Sequence, residues 1–547
     1  MIFCFCGVTK SRREQFARHL QGRGTGRSSQ HSGPAAKRAP IEFFRRCRAI
    51  PRRETAQVEA RFRAPKRGRN AGRRPGNWLV SSGGETLREL APPLRRGRAM
   101  QLSRFVVAYE NVRPGEHVLY SVIEDRYAGI DEATLRAIAR WSAGNQPATA
   151  DEREARDALV EDGFLVSNRL EDDVRVRAYL DKASEGVPGT MYVTLMPTLQ
   201  CNLACNYCFQ KEHPSFTKMS APTEDATLEW LLRQVDERGL RTLQVHYFGG
   251  EPTTRKDYCL RTAQVLSASM KARGGTFRWD MTTNGIQLDV EFARKMHSFG
   301  PGAFKVTLDG DKETHDRMRV YRDGRGTFDV IFDNVVALAQ AGCKVFVGGH
   351  FFPDQAASFE ALLDRFEKSG VAPLLAGVMF RPMVDTQQRS KGTCTGCSEK
   401  QETQTLVQLN ASIERRKMTP TAHQGRTLEG LLGPCELHWK NNYTIDPEGR
   451  VYKCPVVAGL PGLEVAHVAS SAPEKVAPLV ELRPWEKCGD CPYLPVCVGG
   501  CLGGKFLKTG RRDEVACKKD MFESSFRESV VHRYLTEFPQ PEWTETA

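Results

Sequence analysis

Residues 198–212 read TLQCNLACNYCFQKE, which sets Cys201, Cys205 and Cys208 in a C-x3-C-x2-C pattern. They follow directly on Met191–Met196, an apolar run that reads as a β-strand. Three thiolates on one tight loop are one short of the four that close a tetrahedral zinc site or a cubane cluster. On a four-iron cluster, three ligands leave one iron open to a small molecule. Taken alone, the triplet is equally half of a zinc site whose other ligands come from elsewhere in the chain.

Outward from this loop, strand and helix patterns alternate. Candidate strands are Met191–Met196, Leu243–Tyr247, Phe277–Met281, Phe304–Leu308, Lys344–Phe351 and Leu374–Phe380. Helical patterns fill the gaps near 223–238, 257–273, 289–298, 327–341 and 355–369. A repeated βα beat implies a parallel sheet with helices outside and right-handed crossovers. About six units fit an open, partial (β/α)6 TIM-like barrel, whose chemistry gathers at the C-terminal strand ends. The expected barrel covers 186–382.

Upstream, residues 100–185 read as a small α+β module, with strands FVVAYENV, HVLYSVI and YAGI. A helix over Asp131–Trp141, a second over Ala150–Glu161 and a short strand FLVS follow. That order fits a winged-helix-like module, either recognising a peptide at a sheet edge or serving as a structural cap.

Residues 1–99 differ in kind. They hold 24 Lys/Arg against six Glu and no Asp, a net charge of +18, while the remaining 448 residues carry −5. Rich in Arg, Gly, Pro and Ser, the segment is expected to be disordered. It reads as a nucleic-acid arm, a transit peptide, or an over-extended start ahead of Met100. No stretch approaches the roughly 18 apolar residues of a membrane span, and the N-terminus is no secretory signal. Of the 17 cysteines, nine fall after Pro382, in motif-like groups. That grouping points to metal or iron–sulfur ligation in a reduced cytoplasm.

The triplet, with Tyr207 before its last cysteine and a strand behind it, resembles the radical S-adenosylmethionine (radical SAM) superfamily. Gly249-Gly250-Glu251-Pro252, at the end of the second strand, resembles that family's GGEP motif. There, exposed backbone and a carboxylate suit the α-ammonium of the cofactor's methionyl group. TTNG (Thr282–Gly285) and VTLDG (Val306–Gly310) end the next two strands as in relatives. His315-Asp316-Arg317-Met318-Arg319 resembles a segment whose last arginine lies near the cofactor carboxylate. The resemblance thus implies cofactor contacts at Gly249, Gly250, Glu251, Pro252, Asn284 and Arg319. It also implies a 4Fe–4S cluster on Cys201, Cys205 and Cys208.

Residues 383–525 hold a second set. Cys435 and Cys454 bracket NNYTIDPEGRVYKC, and Cys488, Cys491, Cys497, Cys501 and Cys517 follow. A zinc ribbon would account for Cys488 and Cys491 alone. The seven together resemble the SPASM extension of peptide-modifying radical SAM enzymes. By that resemblance Cys488, Cys491, Cys497 and Cys517 hold one auxiliary 4Fe–4S cluster, and Cys435, Cys454 and Cys501 a second. Cys394, Cys397 or His438 is a candidate fourth ligand for the second, which otherwise keeps an open iron. Cys394 and Cys397 also suit a redox pair or substrate binding. Cys259 and Cys343 read as buried small hydrophobes, Cys4, Cys6 and Cys47 have no assigned role, and 526–547 reads as a C-terminal tail.

The resemblance implies an enzyme that generates a 5′-deoxyadenosyl radical from S-adenosylmethionine to modify a peptide or protein. A thioether or other side-chain crosslink in a ribosomally made peptide is the expected product. Residues 100–185 would bind a leader peptide, an external low-potential donor would supply electrons, and neither membrane nor nucleic acid is an expected partner. One alternative is a formylglycine-type, sulfatase-maturing dehydrogenase. Those relatives carry an acidic residue after the cysteine equivalent to Cys454, where this chain has Pro455, leaving Glu436 or Asp446 as substitutes. The other alternative is a non-catalytic metal-binding protein with a basic nucleic-acid arm.

Overall fold

Six of the apolar stretches form parallel strands, each paired with the next in sequence. They are β7 (Thr190–Leu195), β8 (Thr242–Tyr247), β9 (Thr276–Thr283), β10 (Gly302–Thr307), β11 (Val345–Phe351) and β12 (Gly377–Pro382). The computed structural model describes residues 79–80, 100–212, 217–383, 399–418 and 434–538. Cys4, Cys6, Cys47, Cys394 and Cys397 lie outside the described residues. So does the expectation of disorder over 1–99, except at β1 (Leu79–Val80), which pairs antiparallel with β5 (Arg126–Asp131).

Alternation sorts each barrel strand into two faces. Leu243, Val245 and Tyr247 on β8, and Phe277, Trp279 and Met281 on β9, enter the core under the helices. Fully burying such a side chain contributes about 1.5–3 kcal/mol. The residues between them, Gln244, His246 and Asp280, take the opposite, concave face. Side-chain caps start the helices where the sequence places them. Ser220 accepts from the Thr223 N–H ahead of Ala221–Glu237, and Asp289 accepts from the Phe292 N–H ahead of Val290–Phe299.

The sixth unit departs from expectation. Ala372–Leu374 form a 3₁₀ turn, so β12 begins later than the apolar run, at Gly377. Its helix, Glu399–Arg415, lies beyond the barrel end expected at 382. Leu409, Ile413 and Met418 join the barrel core, so the expected boundary at 382 falls inside the last βα unit. Beyond it, β13 (Asn442–Ile445) pairs parallel to β7. β14 (Arg450–Tyr452) and β15 (Ala466–His467) then extend the same sheet antiparallel. The cysteine-rich extension therefore grows from the barrel's own sheet, in the order β12-β11-β10-β9-β8-β7-β13-β14-β15.

In the N-terminal module, β3 (Val106–Arg113) and β4 (Glu116–Ser121) form a four-stranded antiparallel sheet with β5 and β1. Glu132–Ser142 and Ala150–Glu161 cover one face, through Ile138, Trp141 and Leu159. The other face is covered by Lys519–Glu537, whose Phe526, Val530 and Tyr534 pack on Tyr109, Tyr120 and Tyr127. Residues 526–537, expected to belong to a tail, thus contribute to this core. A further helix, Arg169–Ser184, closes the module.

Candidate active site

The loop carrying Cys201, Cys205 and Cys208 leaves the C-terminal end of β7 and is pinned from two sides. The Ala204 and Asn206 N–H groups donate to the carbonyls of Val320 (2.8 Å) and Met318 (3.1 Å). Arg322 donates through Nε (3.1 Å) and Nη2 (2.9 Å) to the Cys201 carbonyl. On the other side, the N–H groups of Gly250 and Glu251 donate to the carbonyls of Thr198 and Gln200, both at 2.9 Å. A Cβ on Gly249 would overlap the Thr198 carbonyl, and one on Gly250 that of Gln200. Gly249 also has φ +121°. Only glycine permits this approach of the second strand end to the cysteine loop.

The Glu251 carboxylate turns inward and is 1% exposed. Oε1 accepts from Thr253 N (2.9 Å), Thr253 Oγ1 (2.6 Å) and Thr283 Oγ1 (2.6 Å), and Oε2 from Asn284 N (2.6 Å). Burial pushes the carboxyl up despite these four donors. Glu251 is a bracket joining GGEP to TTNG.

The bracket aims Asn284. Its Nδ2 donates to Asn202 Oδ1 (2.7 Å) and lies 3.7 Å from Cys201 Sγ, while Oδ1 accepts from Ile286 N (3.0 Å). Arg319 is 7% exposed and donates through Nη1 to the Tyr207 hydroxyl at 2.7 Å, with Nε buried and unpartnered. Tyr207 in turn donates to Asp309, which is fully buried and 3.8 Å from Arg319. Asp309 also accepts from the His350 N–H (2.7 Å), and its own N–H donates to His315 Nδ1 (3.1 Å). Burial alone would push the Asp309 carboxyl up. His350, Arg319 and His315 reverse this and hold it well below the usual carboxylate range.

In the sequence Tyr207 marks the cysteine motif, Asp309 is one letter of VTLDG, and His350 is an unmarked position of an expected strand. The signal available was alternation. Val306 and Leu308 face the helices, so Asp309 faces the concavity, and His350, beside core-facing Phe351, does likewise.

Cys201 lies within electrostatic reach of Cys205 and Cys208, and burial pushes its thiol up to about 12. Cys435 and Cys454 are mutually coupled and both sense Cys501, with burial pushing both thiols up, Cys435 to about 12. A Cβ on Gly503 would stand 2.9 Å from Cys454 Sγ, so glycine lets that helix reach the thiol. Cys488, Cys491, Cys497 and Cys517 line a cavity of about 440 Å³ with Tyr493 and Phe522. Burial pushes Cys497 up to about 12. Such thiols become thiolates when a bound cation balances the charge. Among the described residues, no three His, Cys, Asp or Glu side chains converge closely enough for a single metal ion. A four-iron cluster instead takes its thiolates at separate corners. Cys259 and Cys343 are buried, as expected of small hydrophobes.

His438 stands in the 3₁₀ turn Glu436–His438 that follows Cys435. Its ring rests edge-on against Trp485 at 4.9 Å, with Nε2 buried and unpartnered. Asp446 is fully buried and engaged by Arg450 Nε (2.8 Å) and the N–H groups of Glu448 (3.0 Å) and Arg450 (2.9 Å). It braces the β13–β14 turn and offers no free base.

Residues 195–366 match the family model of the Radical SAM superfamily. The chain carries a radical SAM domain. It is an enzyme, and the superfamily that this domain matches works with S-adenosylmethionine and a 4Fe–4S cluster. The mycofactocin maturase MftC of Mycolicibacterium smegmatis is 25% identical over 352 residues, covering 60% of this chain and 82% of that protein. Fe-coproporphyrin III synthase of Methanosarcina barkeri is 29% identical over 148 residues, 27% of this chain and 34% of that protein. Among solved structures, anSMEcpe with bound AdoMet and the Kp18Cys peptide matches with TM-score 0.51. It is 16% identical and covers 64% of this chain and all of that one. That likeness is one of fold.

Proposed function

We propose that this radical SAM enzyme modifies a peptide or protein side chain, forming a thioether or other crosslink in a ribosomally made peptide. One contact carries the reading. Met196 and Leu199, just before Cys201, share an apolar cluster with Cys454, Val456 and Leu502 of the extension. Cys454, a thiol proposed for an auxiliary cluster, thus shares an apolar core with the residues that lead into the loop of the first. In this reading Cys201, Cys205 and Cys208 hold the radical SAM cluster, and the extension holds two more 4Fe–4S clusters. One takes Cys488, Cys491, Cys497 and Cys517, the other Cys435, Cys454 and Cys501.

S-adenosylmethionine, when bound, supplies a 5′-deoxyadenosyl radical that takes a hydrogen atom from the substrate. The chain's own part is to bind, orient and exclude water. Backbone at Gly249, Gly250 and Pro252 lines the cofactor position. Asn284 braces Cys201, and Arg319 offers a buried positive charge for a carboxylate. An external low-potential donor supplies electrons, in the cytoplasm. No described helix is long and apolar enough to cross a membrane.

Residues 100–185 are read as a winged-helix-like module for a leader peptide. β3 is the outer strand of its sheet, a geometry that accepts an added strand. The formylglycine alternative loses support from Pro455 and from the engagement of Asp446 within its own turn.

The test is anaerobic reconstitution of the full chain, iron counting, and incubation with S-adenosylmethionine, a reductant and the peptide encoded beside the gene. About twelve irons per chain, the content of three cubane clusters, with 5′-deoxyadenosine and a peptide lighter by two hydrogens, are expected. About four irons would overturn the extension's assignment, and absence of deoxyadenosine the enzyme itself.

A further inference from the structure

Two His–Asp pairs face the concave side of the barrel, and their surroundings differ. His246 on β8 contacts Asp280 on β9, its register neighbour, and Gln244 donates to the same carboxylate at 2.7 Å. Its ring stacks on Phe248 at 5.7 Å, the residue is 4% exposed, and Nε2 is sealed without a partner. His350 on β11 also lies deep in the molecule, yet 37% of its side chain is open to solvent. A deep ring that solvent still reaches lines an interior concavity.

His350 is held for use. Its backbone N–H donates to Asp309 Oδ1 at 2.7 Å, and its Nδ1 is 3.8 Å from the same oxygen, buried and without a hydrogen-bond partner. A shift of under one ångström would close that bond, as catalytic contacts often close when substrate binds. Asp309 is fixed from behind by Tyr207 and Arg319, which belong to and flank the cysteine loop. The His350 ring lies 6.2 Å from that of Tyr207. The other charged or titratable groups around it are Lys305 on β10, Arg381, its register partner on β12, and His315 behind Asp309. Burial keeps the imidazole neutral near pH 7, with Lys305 and Arg319 acting in the same direction and Asp309 opposing them.

We infer that His350 is the proton acceptor for the substrate at the mouth of the barrel, oriented and balanced by Asp309. The inference rests on the proposed function, because joining a C–H carbon to an X–H heteroatom demands such a group. The C–H bond gives its hydrogen atom to the deoxyadenosyl radical, forming 5′-deoxyadenosine. The X–H bond gives its proton to His350 Nε2, and the C–X bond forms. The one remaining electron passes to an oxidised iron–sulfur cluster of the same enzyme. As the imidazolium forms, Asp309 faces its Nδ1–H, the arrangement by which a buried carboxylate supports a histidine base.

The test uses the reconstituted full chain and the peptide encoded beside the gene. His350→Ala is expected to convert peptide at least about 100-fold more slowly, and added imidazole to restore roughly tenfold of that loss. 5′-Deoxyadenosine formed per product should rise, because hydrogen abstraction then outruns bond formation. The wild-type rate should fall on the acid side as His350 protonates, a limb that His350→Gln removes. Conversion by His350→Ala within about threefold of wild type, without imidazole rescue, would overturn the assignment while leaving the peptide reading intact. Wild-type enzyme that forms deoxyadenosine but leaves the peptide unchanged overturns both. Labelling with diethyl pyrocarbonate, read by mass spectrometry without peptide, gives an independent arm. His350 should be acylated faster than His246, and the reverse order would also overturn the assignment.

Discussion

The loop of Cys201, Cys205 and Cys208 and the set of Cys488, Cys491, Cys497 and Cys517 have the same ligand chemistry on opposite kinds of scaffold. The first loop is clamped before any metal arrives. Backbone bonds reach it from 318–320 and from Gly250 and Glu251, and Arg322 and Asn284 tie down Cys201. The second set stands on short turns, Pro484–Cys488 and Leu494–Cys497, with Cys517 exposed on a loop. Barrel packing pre-organises the first. In the second, the proposed ligation would supply much of the order.

The largest expected effect comes from exchanging one ligand in each set. Cys201→Ala should abolish deoxyadenosine formation, by more than about 1,000-fold, while thermal unfolding moves only slightly. Cys497→Ala should instead lower thermal stability and the iron content of the extension, with partial deoxyadenosine formation kept. Equal loss of stability in both variants would break the contrast. Chelation sharpens it further. Treating the anaerobic enzyme with a strong iron chelator should open 484–518 to protease, while 190–368 stays resistant. Cleavage mapped by mass spectrometry first within the barrel would contradict the assigned difference.

Much of this was legible in sequence, for physical reasons. The barrel strands were found because Leu243-Val245-Tyr247 and their counterparts obey period two between amphipathic helices. The thiol groupings are expected from sequence because ligand spacing is local. The last helix of the barrel escaped because Glu399–Arg415 follows the polar stretch from 384 to 398, which masks its onset. The inward bonding of Glu251 is not legible, because a carboxylate at a strand end looks alike in sequence whether it faces a ligand or the four donors of Thr253, Thr283 and Asn284. The Asp309–His350 pair escaped because its partners are 41 positions apart, and only the parallel register of β10 and β11 joins them.

Glu251 supplies the next test. Glu251→Ala strands the donors on Thr253, Thr283 and Asn284 in a buried site, at a cost on the order of 4 kcal/mol. The loss should appear as a lowered denaturation midpoint in protein that has never been loaded with iron. A variant as stable as wild type, but unable to bind S-adenosylmethionine, would return Glu251 to a ligand role.

His315 gives the smallest effect and separates barrel from extension by pH. Its Nδ1 accepts from the Asp309 N–H at 3.1 Å and its Nε2 faces Thr327 Oγ1 at 3.0 Å, so both nitrogens are engaged in the neutral ring. Burial, with Arg319 nearby, pushes its pKa from 6.5 down to about 4. The unfolded chain therefore binds a proton that the folded chain refuses between about pH 6.5 and 4. Stability is full above the unfolded value, falls as pH drops through this window, and levels off below it. The loss is worth roughly 3 kcal/mol. Urea unfolding of the barrel, followed by tryptophan fluorescence at several pH values, should show this slope. His315→Gln should flatten it while lowering stability at pH 7. Because Asp309 binds both His315 and His350, acid loosening of this histidine should also displace the carboxylate that orients the other, so activity should fall before the barrel unfolds.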